Sequence, residues 1–141
     1  MMRVPLSALV LGVAGLLPFI AGVLAIRGLL PGIDNPVTGY LILQSYGIAI
    51  LAFMGGCFWG FAAQSDRRDW LNYALAVLPG LFAFAVVFLP DALLSLLIGF
   101  VLLQGLDVVF RARGLGPRWW LALRLPLSAV VILCLWLGWS A

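Results

Sequence analysis

The chain has no histidine, no lysine and no glutamate, and only two cysteines, Cys57 and Cys134. Without histidine it lacks the commonest metal ligand and the usual proton carrier near neutral pH. The cysteines sit inside separate apolar runs, far from any Cys-x-x-Cys spacing, and read as small hydrophobes. Charge of either sign is scarce: 9% of residues are charged against 65% hydrophobic, where a soluble domain carries about a quarter charged. That leaves too little polar surface to hold the chain in water, so lipid is its solvent. The eight arginines are spread between apolar runs and form no basic face, which excludes a nucleic-acid module.

What the chain does have is long apolar runs. Five of them, at 4–26, 39–63, 71–89, 92–110 and 119–139, are separated by short polar breaks. A helix crossing a ~30 Å hydrocarbon core needs about 20 residues. Only a helix satisfies its own backbone in lipid, and the runs lack the period of two expected of barrel strands. The expected fold is therefore an all-α integral membrane protein, a single five-transmembrane-helix bundle over residues 1–141. Arg3 ahead of the first apolar run resembles the start of a signal peptide, but the run is long, and a retained first helix is expected.

The breaks contain turn and capping residues. Pro31, Gly32, Asn35 and Pro36 mark a turn, with Thr38 as a candidate cap. Pro90 and Asp91 make a tight hairpin, and Gly114 to Pro117 separate the last two helices. With five crossings, Arg3, Arg67, Arg68, Arg111, Arg113 and Arg118 fall on one side and Arg27 on the other. Positive residues stay cytoplasmic, so the expected orientation is N-in and C-out.

Inside the helices, three patterns invite a site. Ser45, Ala49, Ala52, Gly56, Gly60 and Ala63 form a small-residue stripe containing a Gly-x-x-x-Gly. Such stripes let helices approach closely, either within the bundle or across a homodimer seam, and Gly56 and Gly60 are the expected packing residues. Pro18, Pro79 and Pro126 fall within helices, where they kink for packing reasons or open a pocket. Phe100, Gln104, Asp107 and Arg111 share one face of the fourth helix.

Asp107 and Arg124 flank the connector between the last two helices at similar shallow depth. An ionisable residue inside a membrane is a functional-site hypothesis by default, and pairing reduces its cost. Three readings stay open: a structural clasp, a polar ligand site, or an Arg124 that snorkels unpaired. Trp59, Asn72, Gln104, Asp107 and Arg124, with Gln64 and Tyr73 nearby, are expected to line a cytoplasm-facing cavity. Trp59, close to Gly56 and Gly60, is expected inside the bundle, while Trp70, Trp119, Trp120, Trp136 and Trp139 read as an interfacial belt.

Leu16-Leu17-Pro18-Phe19, the stretch from Tyr46 through Gly55-Gly56-Cys57-Phe58-Trp59-Gly60, Val77-Leu78-Pro79, and Asp107 followed by Gly116-Pro117-Arg118-Trp119-Trp120 to Arg124 carry a resemblance. The chain resembles a bacterial family of unknown function that also includes the mitochondrial transmembrane protein 69. Its most specific elements are Gly-Gly-x-x-Trp-Gly and Pro-x-Trp-x-x-x-x-Arg, and the likeness spans nearly the whole chain. Trp120 and Gly80 depart from the pattern, since members more often carry an aromatic hydroxyl and a serine there. The resemblance implies an inner-membrane location and supplies no activity. In architecture alone, a tryptophan-rich five-helix protein is also similar to the porphyrin- and sterol-binding translocator proteins, whose sequence pattern is absent here.

No Ser-His pair, carboxylate dyad or metal cluster appears, so neither an enzyme nor a cofactor is expected. The leading expectation is a bacterial inner-membrane protein that binds or passes a small amphipathic ligand such as a lipid, quinone or porphyrin. The alternative is an accessory or assembly subunit with a membrane-protein partner.

Overall fold

The computed structural model describes residues 3–66 and 69–141; Arg67 and Arg68, which weigh in the orientation argument, lie outside the described residues. The described chain is helical without strands, in the order α1 (Leu6–Ala14), α2 (Leu17–Ile26), α3 (Pro36–Gln64), α4 (Trp70–Val86), α5 (Ala92–Ala112) and α6 (Trp120–Trp139). Taken together, α1 and α2 are long and apolar enough to cross a membrane, and so are α3, α5 and α6. The shorter apolar α4 rises about 26 Å. This is an all-α membrane bundle.

The first apolar run is one span in two pieces. Pro18 has no N–H to give the preceding turn, and the helix breaks at Gly15–Leu16 just before it. Leu16 N–H bonds back to Val13 in a tightened turn, and the Tyr46 hydroxyl of α3 donates to the Gly15 carbonyl (2.9 Å). A neighbouring helix thus takes up backbone polarity at the break, as lipid requires. At Pro79 and Pro126 the outcome differs, because α4 and α6 run through both prolines as continuous helices.

Helix boundaries follow local capping chemistry. Asn35, not Thr38, caps α3, its side chain accepting from Val37 N–H (3.0 Å) with Pro36 in the first turn. Asp69 caps α4 through Leu71 N–H, and Asp91 caps α5 through Leu94 N–H. At the end of α5, Gly114 adopts φ +73°, and Leu115 N–H returns to the Phe110 carbonyl (2.9 Å). That left-handed stop is one glycine enters without strain, and it buries Leu115 beneath the connector.

At the centre, α3 packs on α2, α4 and α5, while α6 closes the bundle against α5 and α2. The interior is aromatic: Phe19 meets Tyr46 and Phe100 edge-on, and Phe58 lies 4.6 Å from Phe110 between ring centres. Outward positions are equally apolar, with Leu6, Leu11, Leu17, Phe53, Phe84 and Leu102 all exposed to what must be lipid.

The small-residue stripe faces this lipid side. Ser45, Ala49, Ala52, Gly56, Gly60 and Ala63 are exposed, and a methyl group added at Gly56 or Gly60 would meet nothing within 4 Å. Intramolecular packing by Gly56 and Gly60 is therefore corrected. Their neighbour Gly55 does that work: a methyl there would lie 2.9 Å from the Ala76 carbonyl of α4. Gly39 plays the same part against the Gly22 backbone of α2. One residue along a helix turns the side chain by about 100°, enough to move from seam to lipid.

Candidate functional site: a buried polar cluster between α5 and α6

Gln104 and Asp107 stand one turn apart on α5, and Trp120, Arg124 and Ser128 follow at spacings of four on α6. Each set shares one helix face. The hairpin connection turns these faces toward each other. Asp107 is fully buried and Arg124 is 5% exposed. Arg124 Nε lies 3.4 Å from Asp107 Oδ2, so the two charges pair. Trp120 Nε1 donates to Asp107 Oδ1 at 2.7 Å, and the Gln104 amide donates to Asp107 Oδ2 at 3.0 Å and to Ser128 Oγ at 2.6 Å. The carboxylate thus receives two neutral donors and one cation.

The arginine is less well served. Its Nε and Nη2 make no hydrogen bond to protein, so its contact with Asp107 is electrostatic rather than forked. Cys57 of α3 is within electrostatic reach of both charges. Counting along the helices, Asp107 lies five residues from the end of α5, or about 8 Å, and Arg124 four residues into α6, or about 6 Å. Both are just beneath the arginine-rich end, where desolvation is least severe. The arrangement can hold two helices in register.

The five residues expected to line one cavity fall in three places. Gln104, Asp107 and Arg124 come together as described. Asn72 is buried at the start of α4 in a separate cluster, where its Oδ1 accepts from Arg113 Nε (2.6 Å) while Arg113 Nη2 pairs with Asp69 Oδ2 (2.5 Å). Trp59 is 47% exposed on the outward face of α3, set edge-on against Tyr73 of α4. It is not inside the bundle. Five cavities of about 350–490 Å³ are lined mainly by other residues, and of the five expected residues only Trp59 borders any of these. Once both sides of a helix are apolar, sequence gives no sign of which side a tryptophan takes.

Two members of the cluster escaped the sequence reading. Trp120 reads as a belt residue, yet its indole N–H is spent on Asp107 and its ring stands edge-on to Phe61 of α3, 4.9 Å between centres. Ser128 carries no signal alone. The available clue to both was spacing, four residues before and after the lone arginine of α6.

The opposite face of α5 has a different character. Between it, α4 and α3 lies an apolar groove of about 490 Å³, lined by Leu51, Pro79, Phe82, Gly99, Leu102 and Leu103 among others. Its rim residues Leu78, Leu81 and Leu102 are exposed, so it opens toward lipid.

A family of proteins of unknown function, DUF3429, matches residues 4–140. The chain belongs to the DUF3429 family. It is 30% identical over 136 residues to transmembrane protein 69 of Xenopus tropicalis, covering 93% of this chain and 53% of that protein. With transmembrane protein 69 of Mus musculus the identity is 29% over 136 residues, covering 92% and 54%. This DUF3429 chain therefore spans about half the length of the curated relatives it matches. No solved structure matches it. The family match, residues 4–140, covers all six helical segments.

Proposed function

We propose that this membrane protein is a non-catalytic binder of a small amphipathic molecule, and that the groove between α3, α4 and α5 takes the molecule's apolar part. The observation that carries the reading is the groove itself: about 490 Å³ without a polar side chain in its lining. Ligand sites span roughly 300–1,000 Å³ and are mostly apolar. Such a lining suits an acyl or isoprenoid tail, so a lipid or quinone fits it better than a porphyrin. Val109 ends the lining one turn before Arg113, which directs an anionic or carbonyl head toward the arginine-rich end. The polar cluster of Asp107 and Arg124 then supports α5 from behind rather than touching the ligand.

The experiment is native mass spectrometry of gently purified protein alongside Leu78→Trp and Leu102→Trp, which fill the groove from its exposed rim. Loss of a co-purifying small molecule from both variants is the expected result. Retention equal to the parent protein would refute the groove.

The reading places the protein in a bacterial inner membrane with its N-terminus inside. Arg3, Arg111, Arg113 and Arg118 lie toward one end of the described bundle and Arg27 toward the other, which supports that orientation. Reporter fusions at each end test it.

A second reading, an accessory subunit, rests on the outward stripe of α3. Smooth small-residue faces seat a neighbouring transmembrane helix, from another protein or a second copy. Gly56→Leu and Gly60→Leu would then release a stoichiometric partner while leaving the fold intact, since both positions face open space. Unchanged mass of the purified species in both variants removes this reading.

A further inference from the structure

At the arginine-poor end, the start of α3, the α4–α5 hairpin and the end of α6 enclose a second cavity of about 420 Å³. Unlike the groove, its lining is polar, contributed by Tyr40 and Gln44 of α3, Asp91 at the head of α5 and Trp139 of α6. Because these are helix ends, the cavity stands at the membrane boundary, reachable from water and from lipid headgroups.

Asp91 is held in place without being neutralised. Its Oδ1 accepts from Leu94 N–H (3.1 Å) and its Oδ2 from Trp139 Nε1 (2.8 Å), both neutral donors. Among the described residues the ion pairs are Asp69 with Arg113 and Asp107 with Arg124, so Asp91 has no basic partner within ion-pair distance. Arg27, the arginine of this end, instead donates to the Leu137 carbonyl (3.1 Å). A carboxylate oxygen has lone pairs to spare after one hydrogen bond. The rings of Tyr40 and Trp139 border the same space, and aromatic faces attract organic cations. Carboxylate, aromatic rings and a Gln44 amide oxygen in one cavity select for an N–H-bearing or alkylated cation and against an anion.

We propose that this cavity binds an ammonium group, supplied either by an aminophospholipid headgroup or by a small soluble amine. Asp91 provides the countercharge, Tyr40 and Trp139 the aromatic walls, and Gln44 an acceptor. No part of this rests on the apolar groove, and the groove-filling substitutions leave the cavity untouched, so the two ideas fail separately.

The test uses full-length protein in nanodiscs of equimolar phosphatidylethanolamine and phosphatidylglycerol with matched acyl chains, released into native mass spectrometry. The ratio of bound ethanolamine to glycerol lipid is read for the parent protein and three variants. Asp91→Asn keeps an acceptor for the helix cap but removes the charge, and should lower the ratio at least about fivefold. Tyr40→Leu, which plays no part in the cap, should lower it about two- to fivefold. Asp34→Asn makes the same charge change in the α2–α3 loop of the same end, outside the cavity, and should leave the ratio as it was. In a second arm, free ethanolamine is titrated in: displacement of the bound lipid assigns the site to soluble amines, and persistence assigns it to the headgroup. An unchanged ratio in both Asp91→Asn and Tyr40→Leu, or an equal fall in Asp34→Asn, would overturn the proposal.

Discussion

Two ion pairs tie α5 to its neighbours, and they differ in nearly everything but charge. Toward α6, α5 contributes the acid: Asp107 meets Arg124, with side chains 0% and 6% exposed. Toward α4 it contributes the base: Arg113 meets Asp69, with side chains 28% and 41% exposed. The shorter contact belongs to the exposed pair, at 2.5 Å against 3.4 Å. Distance is therefore a poor guide to which pair matters. Water screens the exposed pair and remains an alternative partner for each of its ends, whereas the buried charges have only one another and the neutral donors of Trp120 and Gln104. Removing one member of a buried pair leaves the other stranded.

The hardest blow to this contrast is Arg124→Ala, which abandons Asp107 in the bundle. A loss of about 3–5 kcal/mol is expected, read as thermal unfolding in detergent, while Arg3→Ala at an exposed position changes little. Exchanging the two residues, Asp107→Arg with Arg124→Asp, should recover part of the loss. Next in size is Trp120→Phe, which keeps most of the ring but deletes the donor to Asp107. Hydrogen bonds to charged groups are worth about 1.5–3 kcal/mol, and a smaller loss than that would mean the indole is merely packing.

Arg113→Ala should cost about 1–2 kcal/mol, chiefly because it deprives the buried Asn72 oxygen of its donor rather than because it breaks an exposed pair. Raising salt from 0.1 M to 1 M, where the screening length falls from about 10 Å to about 3 Å, should remove only the small Asp69 share of the Arg113 effect and leave both its Asn72 share and the Arg124 effect nearly whole. The smallest effect belongs to Gly56→Ala, within about 0.5 kcal/mol, because the new methyl meets open space. Gly55→Ala, pressed on the Ala76 carbonyl, should cost about 1–3 kcal/mol by the same unfolding measurement.

The same contrast explains what could be read in advance. Asp107 and Arg124 stood out because a charge within an apolar run is conspicuous, and helix counting placed them at matching depth. Asp69 and Arg113 gave no such signal, since charges are ordinary at helix ends and nothing in one sequence says which meet. Trp120 and Ser128 were legible only as neighbours of Arg124 by helical spacing. Trp59, Gly56 and Gly60 were misplaced for a different reason. In water, the buried face of a helix differs in polarity from the exposed face; in lipid both are apolar, and the pattern that orients a helix disappears.

Composition and run length alone therefore determined that this chain is a bundle of membrane-crossing helices, because lipid leaves no other way to satisfy the backbone. The capping residues placed the helix ends to within a few positions, since capping is local chemistry. Tertiary structure decided the rest: which glycine lies in a seam, which tryptophan meets an acid, and where α5 turns its polar and apolar sides. Those choices come from the complementary shapes of neighbouring helices, which hydropathy in a uniformly apolar chain does not encode.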